Sequence, residues 1–177
     1  MVVDIGGGTT NAAILSVNGI VVSMGLKVGG NDFDAALMRY IRSQFGVTVG
    51  QQAAEEIKMQ VGTVYDRPEE RLMEFIGRDI ETGLPKTVRI SSQDCRMAFR
   101  ELTGRIVEVV HSVLEKTPPE LAEDVAQRGI VLTGGGSLID GLEDLLEART
   151  GVNVVTCDDP LCAVAIGTGR AGELLDL

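Results

Sequence analysis

Two glycine triplets hold the chemistry that is legible in this chain. Asp4-Ile5-Gly6-Gly7-Gly8-Thr9-Thr10 lies near the start, and Thr133-Gly134-Gly135-Gly136 far downstream. Each follows a short apolar run that reads as a buried strand, Met1-Val2-Val3 in one case and Gly129-Ile130-Val131-Leu132 in the other. Turns without side chains at strand ends let the backbone come close to a ligand, with N–H groups free to point at it. One such turn is common. Two of them, both with threonine neighbours, suggest two walls of one nucleotide cleft. Taken singly, the first also reads as a tight strand–strand turn and the second as a plain strand-to-helix turn.

The elements that must position these turns follow from periodicity and turn signals. Residues 2–5 read as a strand that ends in the first glycine turn. Asn11 to Val17 is a second strand, Asn18-Gly19 a two-residue hairpin signal, and Ile20 to Val28 a third strand. Gly29-Gly30 breaks the pattern. Asn31 reads as an N-cap, with Asp32 and Asp34 in a first turn where the helix dipole favours acids. Phe33, Leu37, Tyr40 and Ile41 share one helical face, and Gly46 stops the helix. Gln51 to Val61 is a second helix, 64–70 a polar turn region, and Arg71 to Arg78 and Thr87 to Ile90 are strands. Ser91 and Asp94 match a capping box. Phe99, Leu102, Ile106, Val109 and Val113 then step by three and four along a long amphipathic helix that Pro118-Pro119 ends. A strand at 129–133, the second glycine turn, a helix at 137–149 and a strand at 152–156 follow. A last helix opens with Asp159 as cap and Pro160 in first position. Three meander strands and then α/β alternation predict a ribonuclease-H-like α/β core with a mixed sheet and a small inserted α+β subdomain.

Composition narrows the classes. The 177 residues are 44% hydrophobic but only 3% aromatic, with no tryptophan, so the core must be aliphatic. The formal charge of −10 argues against a nucleic-acid partner, which needs a basic face. It leaves room for a bound nucleotide, because backbone N–H groups and one cation suffice for phosphate. Three cysteines, odd in number and without CxxC spacing, fit neither a disulfide framework nor a zinc site. Reduced thiols suit the cytoplasm, and neither a signal peptide nor an apolar run of about 18 residues is present. The single histidine, His111, falls on a partly exposed face of the long helix and is assigned no chemistry.

Met1 to Thr10 resembles the second phosphate loop of the actin–Hsp70–sugar-kinase superfamily, and Arg128 to Gly136 resembles its adenosine motif. Other stretches are similar to MreB, a family of rod-shape-determining bacterial actin homologues. They are Val28-Gly29-Gly30, Ala54 to Lys58, Gly77-Arg78-Asp79 with Thr82 to Pro85, Leu114 to Ala122, and Asp159-Pro160-Leu161 with Gly167-Thr168-Gly169. Together they span nearly the whole chain. The resemblance implies an actin-like ATPase core, with subdomain IIA at 1–30 and 93–177 and an inserted subdomain IIB at 31–92. It also implies that subdomains IA and IB are absent. In such proteins that preceding half carries the first phosphate loop and the membrane-contacting segment.

The same resemblance assigns roles. Gly6, Gly7, Gly8, Thr9 and Thr10 would cradle the β- and γ-phosphates of ATP, the hydroxyls adding donors to the backbone. Asp4 would hold Mg²⁺ through water, since this ion keeps several waters and needs few carboxylates; a turn-stabilising Asp is the plainer alternative. Gly134, Gly135 and Gly136 would let adenine lie flat against backbone near a helix N-terminus. Glu55 and Lys58 would contact ribose and adenine. Three residues apart on one helical face, they also read as an exposed ion pair of little weight. Asn11, with Thr10, falls where the attacking water would be placed. MreB relatives usually have an acid at that position. Asn cannot accept a proton, although it can orient water by hydrogen bonding, so hydrolysis is expected to be slow or absent.

The expected function is that of the ATP-binding half of an MreB-like protein. Such a protein polymerises at the inner face of the cell membrane and helps set rod shape by guiding cell-wall synthesis. Expected partners are other filament subunits and the cell-wall-synthesis and membrane-anchored shape-determination proteins, with membrane contact only through the absent half. Two rival expectations stand beside it. One is a truncated, non-hydrolysing fragment that binds a partner or caps a filament. The other is a small-molecule kinase of the same superfamily, whose substrate acid would lie in the absent half.

Overall fold

The computed structural model describes residues 1–17 and 19–174. The chain runs β1 (Val2–Ile5), β2 (Thr10–Ser16), β3 (Gly19–Leu26), α1 (Gly30–Phe45), β4 (Val47–Thr48), α2 (Gln51–Val61), β5 (Leu72–Asp79), β6 (Pro85–Ser91) and α3 (Ser92–Glu115). It continues with α4 (Pro119–Arg128), β7 (Ile130–Thr133), a 3-10 turn (Gly135–Leu138), α5 (Leu142–Thr150), β8 (Val154–Thr156) and α6 (Ala163–Leu174). One sheet has the order β3-β2-β1-β7-β8; a second has the order β4-β5-β6. In the first, β1, β2 and β3 form the expected antiparallel meander, and β7 and β8 run parallel to β1. Of the predicted hairpin pair, Asn18 lies outside the described residues, and Gly19 has a φ of 112° that favours glycine.

Period-two burial fixes the register. Val3 and Ile5 of β1 are fully buried, and so are their neighbours on the same face, Thr10 and Ala12 of β2. The helices α1 and α3 supply the other side of the core. Phe33 and Phe99 meet edge to face at 5.1 Å and 81°, and both are fully buried. Around them sit Leu37, Ile41, Ile57, Ile90 and Ile106, each with no exposed surface. Each such side chain is worth about 1.5–3 kcal/mol of burial. The core is mainly aliphatic, with Phe33, Phe75 and Phe99 as its buried aromatics among the described residues, as the composition requires. The three cysteines are free thiols, and burial pushes the Cys95 thiol up to about 12.

Several boundaries differ from expectation for identifiable reasons. The cap of α1 is Gly29, not Asn31: the Asp32 carboxylate accepts the Gly29 N–H at 2.9 Å, and the Asn31 N–H donates to the Gly7 carbonyl at 2.8 Å. The predicted capping box of α3 is present, with Ser91 Oγ accepting the Asp94 N–H at 3.2 Å and Asp94 Oδ2 accepting the Ser91 N–H at 2.9 Å. Pro118-Pro119 does not simply end α3 but opens α4, with proline in the first turn. The helix expected at 137–149 is split into the 3-10 turn and α5, because Gly141 enters the left-handed region at φ 81°. The last helix starts at Ala163. Ahead of it the Cys162 N–H bonds Asp159 Oδ1 at 3.3 Å.

Candidate functional site

Because β1 and β7 are parallel neighbours, their following turns emerge side by side at one sheet edge. Ligands of open α/β sheets bind outside such carboxyl ends. The two glycine triplets therefore meet. A Cβ built on Gly134 would lie 2.3 Å from the Ile5 carbonyl oxygen and 2.8 Å from Asp4 Oδ1.

The first turn is oriented by the N-terminus of α1. The Gly30 N–H donates to the Gly6 carbonyl at 2.9 Å, and the Asn31 N–H to the Gly7 carbonyl at 2.8 Å. A trans peptide carries its C=O and N–H on opposite sides. Fixing the Gly6 and Gly7 carbonyls on α1 therefore turns the Gly7 and Gly8 N–H groups outward. Neither finds an acceptor among the described residues, and both glycines are exposed. The Gly6 N–H closes the turn on the Thr9 carbonyl at 2.9 Å. Two adjacent outward N–H groups form a concavity suited to a phosphate oxygen.

Strand alternation then sorts the side chains. Asp4 pairs directly with Asn11 across β1 and β2, and with Thr133 across β1 and β7, so these three share a face. Asp4 is half-buried and Asn11 exposed. Thr10, one residue earlier, points to the opposite face. It is fully buried, and its hydroxyl donates to the Val28 carbonyl at 2.9 Å. The expectation of Thr10 as a hydroxyl donor beside Asn11 is thereby corrected: period two separates them, and the proton is already bonded. Thr9 remains exposed.

The second turn is built differently from the expected flat platform. Gly134 and Gly136 are buried against β1, a Cβ on Gly136 falling 2.4 Å from Ile5 Cγ2. The Gly134 N–H donates to the Pro160 carbonyl at 2.9 Å, and Ser137 Oγ donates to the Gly134 carbonyl at 2.7 Å. Only Gly135 reaches the surface.

Glu55 and Lys58 part company. Glu55 is exposed on α2. Lys58 Nζ lies 2.7 Å from Asp34 Oδ1, with side-chain exposures of 12% and 2%, and donates to the Gly30 carbonyl at 3.3 Å. The exposed Glu55–Lys58 ion pair is therefore not formed. Asp34 escaped the sequence reading as a routine first-turn acid. The available signal was its place on the apolar stripe, three residues before Leu37 and seven before Ile41, all buried.

A further concavity lies elsewhere. About 780 Å³ lies between α3 and α5, lined by Tyr65, Met97, Arg100, Val107, Leu145 and Arg149 among others, and none of the expected site residues borders it.

Comparison with known proteins bears on the family and the fold. A family model described as MreB/Mbl protein matches residues 1–177. The cell shape-determining protein MreB of Escherichia coli (strain K12) is 44% identical over 177 residues, which is 100% of this chain and 51% of that protein. The crystal structure of MreB5 of Spiroplasma citri bound to ADP superposes with a TM-score of 0.93 at 39% identity, over 98% of this chain and 53% of that one. A MamK double helical filament superposes with a TM-score of 0.74 at 29% identity, over 90% and 50%. The actin-like α/β fold expected from the sequence is thus the fold found. The chain spans about half the length of the curated relatives it matches.

Proposed function

The chain belongs to the MreB/Mbl family, and we propose that it is the nucleotide-binding half of an actin-like, cell-shape-determining protein. In this reading subdomain IIA covers 1–30 and 93–177, and the inserted IIB covers 31–92. The observation that carries the nucleotide assignment is the outward pair of N–H groups on Gly7 and Gly8, beside the half-buried Asp4 carboxylate. These donors receive the terminal phosphates of ATP. Asp4 fits Mg²⁺ through water, and the ion when bound neutralises phosphate charge. Gly135 offers the exposed backbone of the second turn to the adenosine end. MreB5 of Spiroplasma citri, solved with ADP and with AMPPNP, supports this reading.

Asn11 shares the face of Asp4 and orients a water without accepting its proton, so hydrolysis by this chain is slow. Self-association into filaments at the inner face of the membrane, in concert with cell-wall synthesis, completes the reading. The MamK filament supports the first part. No described helix is long and apolar enough to cross a membrane.

The test is calorimetric titration of MgATP into the protein, with Asp4→Ala as control. Binding that disappears in the control supports the assignment. Absence of binding in the unsubstituted protein defeats it for this chain.

A second reading has its own observation. Leu161, Val164 and Ile166, in and just before α6, are 70%, 60% and 44% exposed. On that reading the chain docks this apolar surface on a partner and caps a filament end. Added at low ratio to a polymerising full-length relative, it then slows the rise in light scattering; an unchanged rise removes this reading.

A further inference from the structure

We propose that Asp140, clasped by Arg67 and Arg71, is a positioning residue for the nucleoside end of the cleft, which it sets by holding α2 against the second glycine turn; this rests on the nucleotide reading of that cleft. α2 touches both turns. Lys58 borders the first: a Cβ built on Gly30 would stand 3.7 Å from Lys58 Nζ and 3.8 Å from the Gly6 carbonyl oxygen. One helical turn later the chain leaves α2 at Gly62 and meets the residues that follow the second glycine turn. Thr63 pairs with Asp140 in an isolated parallel bridge, and the Val64 N–H donates to the Asp140 carbonyl at 2.9 Å. The approach is tight, since Gly141 has a φ of 81° and a Cβ there would fall 2.5 Å from Tyr65 Cβ.

A single backbone hydrogen bond leaves the end of α2 free to swing about it. The Asp140 side chain removes that freedom. Arg67 forks onto the carboxylate, Nη2 reaching Oδ1 at 2.8 Å and Nε reaching Oδ2 at 3.4 Å, and its Nη2 also stands 2.8 Å from Asp144 Oδ2. Arg71 Nη2 makes two contacts at once, to Asp140 Oδ2 at 2.7 Å and to the Gly62 carbonyl at 3.2 Å. That one nitrogen joins the end of α2 to the exit of the second turn. The Asp140 side chain is 32% exposed, so screening keeps the worth of these charges to global stability modest. What they fix is an angle. A swing at Gly62 changes the gap between α2 and the second turn. It leaves the Gly7 and Gly8 N–H groups in place, because the N-terminus of α1 holds the Gly6 and Gly7 carbonyls.

The experiment compares MgATP with magnesium tripolyphosphate, which share a phosphate chain and differ by the nucleoside, in calorimetric titrations of the 177-residue chain. Asp140→Asn and Arg71→Met are each expected to weaken MgATP roughly fivefold and to leave tripolyphosphate unchanged. Arg71→Lys is expected to bind MgATP like the parent, because one ammonium can reach both acceptors that Arg71 Nη2 reaches. A general loss of structure weakens both ligands together. Unchanged MgATP affinity in Asp140→Asn overturns the proposal, as does an equal fall for tripolyphosphate, or Arg71→Lys as weak as Arg71→Met. Absence of MgATP binding before any substitution overturns the nucleotide reading itself, and the proposal with it. Should Arg71→Met fail to fold, Arg67→Met, whose guanidinium meets only Asp140 and Asp144 among the described residues, is expected to show the same split between the ligands.

Discussion

The two glycine turns look alike in sequence and differ in what requires their glycines. At Gly134 and Gly136 the requirement is internal: φ at Gly134 is 81°, and a Cβ at the two positions would fall 2.3 and 2.4 Å from Ile5 atoms. At Gly6, Gly7 and Gly8 no φ is positive, and a Cβ would meet nothing nearer than 3.6, 3.7 and 4 Å. Nothing inside the described chain requires the first triplet to be bare, whereas the second is bare so that the chain can pack on itself. An identical motif carries a ligand-facing argument in one place and a folding argument in the other.

The comparison breaks most visibly at Gly134. Gly134→Ala combines a strained φ with a clash against backbone that cannot step aside, and is expected to cost about 3 kcal/mol. For a domain of this size that is a drop of roughly 10 °C in Tm, readable by calorimetry or circular dichroism. A Tm within a degree or two of the parent means that Ile5 yields and that the second turn is as permissive as the first.

Gly8→Ala tests the other side. With nothing within 4 Å of the new Cβ, stability is expected to stay within about 0.5 kcal/mol. The methyl group instead intrudes where a phosphate approaches the N–H, and MgATP affinity is expected to fall about tenfold, or 1.4 kcal/mol. Equal loss of stability at Gly8 and Gly134 erases the distinction between the turns. Unchanged stability and unchanged affinity together mean that the first turn faces no ligand.

Much of the scaffold behind this comparison is legible in the sequence. The meander, α2 from Gln51 to Val61, the stop at Gly46 and the Ser91–Asp94 box each rest on a local signal, a period or a cap chemistry, and each is found. The failures share a cause. Pro118-Pro119 reads as a stop in the sequence, but proline in a first turn opens a helix equally well, and here it opens α4. β4 has two residues, too few for any period, and exists because Val47 and Thr48 pair with Asp79 and Arg78. Thr10 and Asp34 were read by type and neighbourhood. Which carbonyl takes the Thr10 proton, and which ammonium meets the buried Asp34, are set by elements 18 and 24 residues away along the chain. The glycine triplets were found because they are local. That they differ was invisible, since the difference lies in what stands 3 Å from an absent Cβ.

A smaller effect separates the turns by pH. The second turn continues to Asp140, whose carboxylate takes hydrogen bonds from Arg67 at 2.8 Å and Arg71 at 2.7 Å. Burial pushes this carboxyl up, but the Arg67 hydrogen bonds and the charges of Arg67 and Arg71 outweigh it and hold the pKa below its ordinary value. A lowered folded-state pKa gives stability that is present above the unfolded value and lost as pH falls through the folded one. Asp140→Asn is therefore expected to cost roughly 1 kcal/mol near neutral pH, allowing for solvent screening. Its Tm should converge on that of the parent below the ordinary carboxylate range. A gap that persists in acid assigns the loss to shape rather than charge. Tripolyphosphate affinity at the first turn should not change.

The smallest effect lies on the surface of α3. Gly104 stands exposed inside α3, with no positive φ and nothing within 4 Å of a Cβ, the same description as Gly8 apart from its helical setting. Gly104 lines the concavity between α3 and α5, away from the phosphate-facing turn, and helix propensity decides. Gly104→Ala removes unfolded-state freedom and is expected to stabilise by about 0.5–1 kcal/mol, a Tm gain of a few degrees, with MgATP affinity unchanged. If Gly104→Ala destabilises instead, open space around a built Cβ does not report tolerance in this protein. The freedom inferred for Gly8 then falls with it. A gain in Tm at Gly104 alongside a pure affinity loss at Gly8 leaves approach from outside as the reason for the first triplet.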